Sequence, residues 1–275
     1  MPVLVHLPPE PLRPFVSSAH GYHVPANPTG LHRGLPSRHL TLVVDLHEPL
    51  RVDGLVSPAA AHGLVGGLHT RPALIDASRP QEGLQYGLTP LGSSTLLGLP
   101  AGELFDRIID LGQVFGPGAM LLVERLRETP AWADRFALLD EALLRRLGDR
   151  GGALPPEVTE AWRVIFGGGG RVRVDSLAEH VGWSRRHLAG RFRVATGLTP
   201  KQAARIARFE AARGLLTSPS PPQLADIAFR CGFADQSHLA REWRALAGCS
   251  VGQWMLDEFP FLQDEPARSA AGSPA

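Results

Sequence analysis

Two stretches decide the reading of this chain: "VGWSRRHLAGRF", Val181–Phe192, and "CGFADQSHLAREW", Cys231–Trp243. Each has a Gly-aromatic pair, a few small or polar residues, His-Leu, and an aromatic four residues after the Leu. The apolar positions agree and the polar ones between them differ. A scaffold built twice with different exposed residues is a scaffold that presents two different faces.

The local chemistry of each copy predicts a helix, a sharp turn and a second helix. In the first, "DSLAEHVG" supplies Leu177, Ala178 and Val181 as an inward face. Gly182 then allows the positive φ that helix-turn-helix units use at the turn. Trp183 plugs the gap, and Ser184 has the side chain of an N-cap for the helix that follows. Leu188 and Phe192 face inward. Arg185, Arg186, Ala189 and Arg193 remain outward or lateral. In the second copy Leu224, Ile227, Ala228 and Cys231 face inward, Gly232 turns the chain, Phe233 replaces Trp183, and Asp235 caps. Leu239 and Trp243 match Leu188 and Phe192, leaving Gln236, Ser237, Ala240 and Arg241 outward. Between the copies runs "TPKQAARIARFEAARGLL", with Thr199 as cap, Pro200 at the first helical position and an inward stripe of Ile206, Phe209 and Leu216. About 17 helical residues span roughly 25 Å. Such a helix suits two units held about one DNA turn, roughly 34 Å, apart.

Charge follows the same division. Residues 155–254 carry 14 Lys+Arg against 8 Asp+Glu, while the rest of the 275 residues carry 14 against 19. A basic segment beside an acidic one suggests contact with a polyanion. Lys201 is the only lysine, so the positive charge is almost all guanidinium, the group suited to bidentate contact with phosphate or guanine.

Upstream, residues 1–117 read as β-rich, with short strands broken by Gly and Pro, as in a small barrel or sandwich. His39–Gly54 reads as a hairpin, and Ala101–Asp110 as a short helix. Residues 118–154 read as a helical pair and a linker, "GDRGGALPP". Thr129 and Pro130 open the second of these helices, whose Trp132, Phe136, Leu139, Leu143 and Leu147 share one face. That face suits either a seam between two copies or packing on its own β-domain. Residues 155–256 form the repeated helical unit, and 257–275 read as a flexible tail. The fold class is therefore α+β, a β-rich N-terminal domain followed by an all-α domain with two helix-turn-helix units.

From these motifs the C-terminal region resembles the DNA-binding domain of the AraC/XylS family of bacterial transcription regulators. "LAEHVGWSRRHLAGRFRVATGLTPKQAARIARFEAARGLL" and, more specifically, "LADIAFRCGFADQSHLAREWRALAGCSVGQW" carry the resemblance. It implies seven helices, two reading helices in adjacent major grooves, and an N-terminal sensing or oligomerising domain, often a small cupin-like barrel. It also implies double-stranded DNA as partner, together with RNA polymerase, a small-molecule effector and a homodimer. Base-contact positions map to Arg185, Arg186, Ala189 and Gly190 in the first unit, and to Gln236, Ser237 and Arg241 in the second. An Arg is common where Gly190 stands. The closing "Gly-x-Ser-Pro-x-x-Tyr" reads "GCSVGQW", with Val251 for Pro and Trp254 for Tyr. Arg185 and Arg186 suit guanine, Gln236 adenine, and Arg241 a base or a phosphate. Arg191, Arg193 and Arg205 suit phosphates.

Other classes fit less well. Alkyl-transfer repair proteins of the Ada type carry a similar helix pair but need a cysteine cluster, and here Cys231 and Cys249 both lie in or beside the second unit. Eight of eleven histidines fall in the N-terminal half: His6, His20, His23, His32, His39, His47, His62 and His69. With Asp45 and Glu48 they leave a cupin-like metal-dependent enzyme, or a ligand-binding protein fused to a DNA-binding scaffold, as the alternative. No H-x-H pair with a Glu at short spacing occurs, so no metal, cofactor or catalytic residue is assigned. No apolar run of 18 residues and no signal-peptide pattern appear, so a cytoplasmic protein without a membrane partner is expected.

Overall fold

The structure, a computed structural model, describes residues 4–147 and 154–262. Most of the expected linker and the chain beyond 262 lie outside the described residues.

Among the described residues ten strands build the N-terminal domain: β1 (Leu4–His6), β2 (Val16–Val24), β3 (Leu31–Gly34), β4 (Leu40–Asp45), β5 (Leu50–Asp53), β6 (Ala59–Ala61), β7 (Gly63–Gly66), β8 (Ala73–Asp76), β9 (Gln81–Leu88) and β10 (Ile108–Asp110). They form two antiparallel sheets, ordered β1-β2-β9-β4-β7-β10 and β3-β8-β5-β6. The core follows the two-residue period of strands. Leu40, Leu42 and Val44 of β4 lie opposite Leu88, Tyr86 and Leu84 of β9, and all six are fully buried. The expected hairpin over His39–Gly54 does not form. β4 and β5 belong to different sheets, because Asp45 Oδ1 accepts the backbone N–H groups of His47 and Glu48 and turns the chain between them.

A single turn α1 (Pro90–Gly92), the short α2 (Leu111–Phe115), α3 (Gly118–Glu128) and α4 (Trp132–Leu144) complete this domain. Thr129 does not cap α4. Its hydroxyl donates to Arg125 O and closes α3 instead. The apolar face of α4 packs on its own β-domain, with Phe136, Leu139 and Leu143 buried, the second of the two uses that its sequence leaves open. Two polar ties fix it there. Tyr86 donates to Asp140 Oδ1 at 2.9 Å, and Arg135 pairs with Glu82 at 2.6 Å. Ala101–Asp110 is also not a helix. It is a turn leading into β10, with Asp106 at φ 61°, a left-handed value that a helix excludes.

Seven helices follow among the described residues: α5 (Pro156–Gly167), α6 (Val174–His180), α7 (Arg185–Thr196), α8 (Pro200–Leu216), α9 (Leu224–Arg230), α10 (Gln236–Ala247) and α11 (Val251–Leu262). α11 runs past the expected tail boundary at 257 because Asp257 and Glu258 are buried against the β-domain. One apolar core continues from the sheets through α4 into α5, α7 and α8. A second gathers Phe209, Ile227, Leu239, Trp243 and Trp254 around the later helices.

Candidate nucleic-acid interface

Each helix-turn-helix unit is assembled as its sequence requires. Ser184 accepts the N–H of His187 at 3.3 Å and starts α7, and Asp235 accepts the N–H of His238 at 2.6 Å and starts α10. Gly182 and Gly232 sit at φ 72° and 75°, the left-handed values that turn α6 into α7 and α9 into α10. Leu188 and Phe192 are buried in the first unit, Leu239 and Trp243 in the second. The aromatic after each glycine meets the histidine of the following helix edge-on, Trp183 on His187 at 4.5 Å and Phe233 on His238 at 5.5 Å. Both histidines therefore brace the turn. Thr199 and Gln202 form a reciprocal capping box at the start of α8.

The presented faces differ as the two sequences do. Arg185, Arg186, Arg191 and Arg193 are exposed on α7, with Ala189 half-buried among them and Gly190 exposed. Gln236, Ser237 and Arg241 are exposed on α10. Arg185 pairs with Asp175 on α6 at 2.8 Å, but both side chains are largely solvated, and such a pair yields readily to another anion. Arg205 is placed differently. Its Nε holds Glu242 at 2.6 Å and ties α8 to α10, so its guanidinium is engaged inside the domain. Arg208 is likewise inward, donating to Gly170 O at 2.8 Å and lying over the Phe233 ring. Burial pushes the Cys231 thiol up, opposed by the Arg171 and Arg230 charges. A protonated, buried thiol is a packing group rather than a nucleophile.

The histidines of the β-domain are spread over several acidic partners, with His23 and His47 sharing one among the described residues. Among the described residues no three His, Cys, Asp or Glu side chains are arranged to hold a metal ion. His6 holds Asp140 at 2.6 Å, His23 and His47 flank Glu82 at 3.4 and 3.2 Å, and His32 reaches Glu258 at 2.6 Å. Among the described residues no helix is long and apolar enough to cross a membrane.

What sequence reasoning missed is the coupling between the domains. Arg33 of β3 donates from NH1 to Asp257 Oδ2 and from its backbone N–H to Glu258 Oε1, both at 2.8 Å. Arg38 pairs with Glu210 of α8 at 2.7 Å and lies over the Phe166 ring of α5. No local pattern marks such residues, because their partners are far away in sequence.

The architecture defines a two-domain protein with a β-rich N-terminal region and a double helix-turn-helix C-terminal region. A helix-turn-helix domain family matches residues 177–256, and this region is a helix-turn-helix domain of the AraC/XylS type. The chain is 38% identical across 73 residues to the HTH-type transcriptional activator RhaS of Escherichia coli (strain SE11), covering 26% of each chain. It is also 38% identical across 68 residues to the HTH-type transcriptional regulator YbfI of Bacillus subtilis (strain 168), covering 25% of this chain and 24% of that one. The match thus spans about a quarter of these relatives' length. The fold as a whole is similar to ToxT of Vibrio cholerae O395, with a TM-score of 0.52 at 9% identity over 86% of this chain and 96% of ToxT. ToxT has also been solved with an unsaturated fatty acid bound.

Proposed function

We propose that this protein is a sequence-specific DNA-binding regulator of transcription whose two recognition helices read adjacent major grooves. The observation that carries the reading is the pair α7 and α10. Their buried scaffolds match, both are capped by side chains, and their exposed faces carry different polar groups. An N-terminal helix turn offered to solvent is the part of such a unit that reaches base edges. Arg185, Arg186 and Ala189 read one half-site, and Gln236, Ser237 and Arg241 the other. Arg191 and Arg193 meet phosphates and supply salt-dependent affinity without sequence choice. Arg205 leaves this set and acts as an internal tie.

The β-domain modulates binding, through a small-molecule effector, through pairing of two copies, or both. The protein acts on RNA polymerase at a promoter rather than by catalysis. Support for an effector is limited to the shared fold with ToxT, a protein that binds a small molecule. The test is selection of duplexes from a random-sequence pool, followed by binding of Arg186→Ala and Gln236→Ala. Each variant should relax discrimination at its own half-site by about 1–3 kcal/mol. Equal weakening on every sequence would refute the assignment of base contacts.

A further inference from the structure

Both recognition helices end against the β-domain, and they end against the same piece of it. The C-terminal end of α7 meets the turn after α1. Gly102 N–H donates to Ala195 O at 3.2 Å, and Gly102 lies so close to the Val194 carbonyl that a Cβ there would collide with it. A Cβ on Gly197, the cap of α7, would run into the Phe105 side chain. The C-terminal end of α10 meets a second loop. A Cβ on its cap Gly248 would lie 3.0 Å from Pro72 Cγ.

These two loops are joined to each other. Gly67 N–H donates to Arg107 O at 2.9 Å, and Asp106 N–H to Leu68 O at 2.8 Å. Arg71, next to Pro72, pairs with Asp106, next to Phe105, at 2.5 Å. Asp106 holds a left-handed φ of 61°, the only non-glycine residue to do so among the described residues. A backbone value this rarely adopted persists where the surroundings over-determine it.

We propose that loops 67–72 and 100–107 form a positioning element for DNA reading: one jaw on the end of α7, one on the end of α10, cross-linked by Arg71 and Asp106. The contacts of both jaws named above lie at the C-terminal ends of α7 and α10, at the opposite end of each helix from the exposed first turn. The element sets how the two reading helices stand relative to each other, and therefore which spacing of half-sites the protein accepts. A shift of the β-domain is transmitted to both helices at once. Phe105, Pro72, Arg71 and Asp106 are positioning residues, acting through α7 and α10. The inference rests on the DNA-binding reading above.

The test uses the full chain and the tightest duplex recovered by the wild type from a random-sequence pool. One base pair is then added or removed between the two half-sites, which moves one by about 3.4 Å and about 35° around the duplex. Wild type should lose about tenfold or more on either change. Asp106→Asn keeps a side chain that tolerates the left-handed conformation and removes the ion pair. Gly102→Val drives the jaw off Val194, and Pro72→Gly empties the contact at Gly248. Asp106→Asn, the mildest change, guards against a variant that fails to fold, checked by its unfolding curve.

The expected result is weaker binding to the optimal duplex with a flattened spacing profile, about threefold or less between spacings. If folded variants lose affinity but keep the wild-type ratio between spacings, the positioning role is overturned and the DNA-binding reading stands. If the wild type selects no sequence from the pool, that reading falls and this inference falls with it.

Discussion

Glu258→Ala tests the idea that the β-domain and the DNA-binding domain are one mechanical unit. Glu258 is 1% exposed and sits on α11, the last helix. Its Oε1 accepts the backbone N–H of Arg33 at 2.8 Å, and its Oε2 meets His32 Nδ1 at 2.6 Å. Truncation removes both acceptors. Stranding a buried backbone donor costs about 1–3 kcal/mol. Losing one partner from a buried charged group raises the total to about 3–5 kcal/mol. Arg33 keeps Asp257 at 2.8 Å, which argues for the lower half of that range, about 3 kcal/mol. Glu258→Gln keeps an amide oxygen for the Arg33 N–H, so it should recover about half the loss. The assay is urea unfolding followed by tryptophan fluorescence, since Trp254 of this helix is buried 5.1 Å from Trp243 of α10. A Glu258→Ala variant within about 0.5 kcal/mol of wild type would refute the reasoning, as would a Gln variant no better than Ala.

Four further substitutions have defined signs. Burial lifts the Asp45 carboxyl from 3.8 to about 6, against the lowering effect of the His47 N–H and imidazole. The folded state thus holds this proton more tightly than the unfolded one, and stability falls as pH rises from about 4 through about 6. Asp45→Asn should stabilise by about 1–3 kcal/mol at pH 8 and hardly at all at pH 4; equal effects at both would contradict it. Arg193→Ala should lower the salt slope of DNA binding by about 1, while Arg205→Ala should leave the slope alone and cost about 1 kcal/mol of stability through its Glu242 pair. Gly232→Ala places a Cβ at φ 75°, 2.9 Å from Arg171 Cγ, and should cost about 1–2 kcal/mol in thermal or urea unfolding.

The C-terminal domain was legible because its signals are local. Ser184, Thr199 and Asp235 are caps whose bonds reach three residues, and the inward positions recur at helical spacing. Sequence reading failed where a local pattern was overruled from a distance. Leu104 and Ile108 are four apart, as on a helix, yet their segment is bent by Asp106 and pinned by Gly102 to Ala195. Leu40–Asp53 alternates as a hairpin does, yet its halves pair with strands from elsewhere in two sheets. The α4 face offered two uses, and Tyr86 with Asp140 shows why the inward one prevails. A buried tyrosine hydroxyl needs a partner, and α4 supplies it. Arg205 shows the same limit: an arginine on a basic segment carries no local sign of a glutamate 37 residues on.

The distribution of charge connects these findings to recognition. In the C-terminal region, Glu210, Asp257 and Glu258 face the β-domain and are held there by Arg38, Arg33 and His32. Glu242 is held by Arg205 within the domain. The β-domain thus contributes cations to acids of α8 and α11 rather than to the recognition turns. On those turns and the helix faces beyond them, Arg186, Arg191, Arg193 and Arg241 are exposed, and no ion pair engages them among the described residues. At physiological ionic strength a charge is screened within about 8 Å. An approaching phosphate therefore senses mainly the groups nearest to it. Glu210, Asp257 and Glu258 are taken up at the seam, while Asp175 beside Arg185 and the cap Asp235 stay near the reading turns among the exposed guanidinium groups. The ion pairs that fasten the two domains also hold α8 and α11 in place behind the reading helices, so a mutation that loosens the seam should weaken DNA binding in a titration against wild type even though it lies nowhere near the bases.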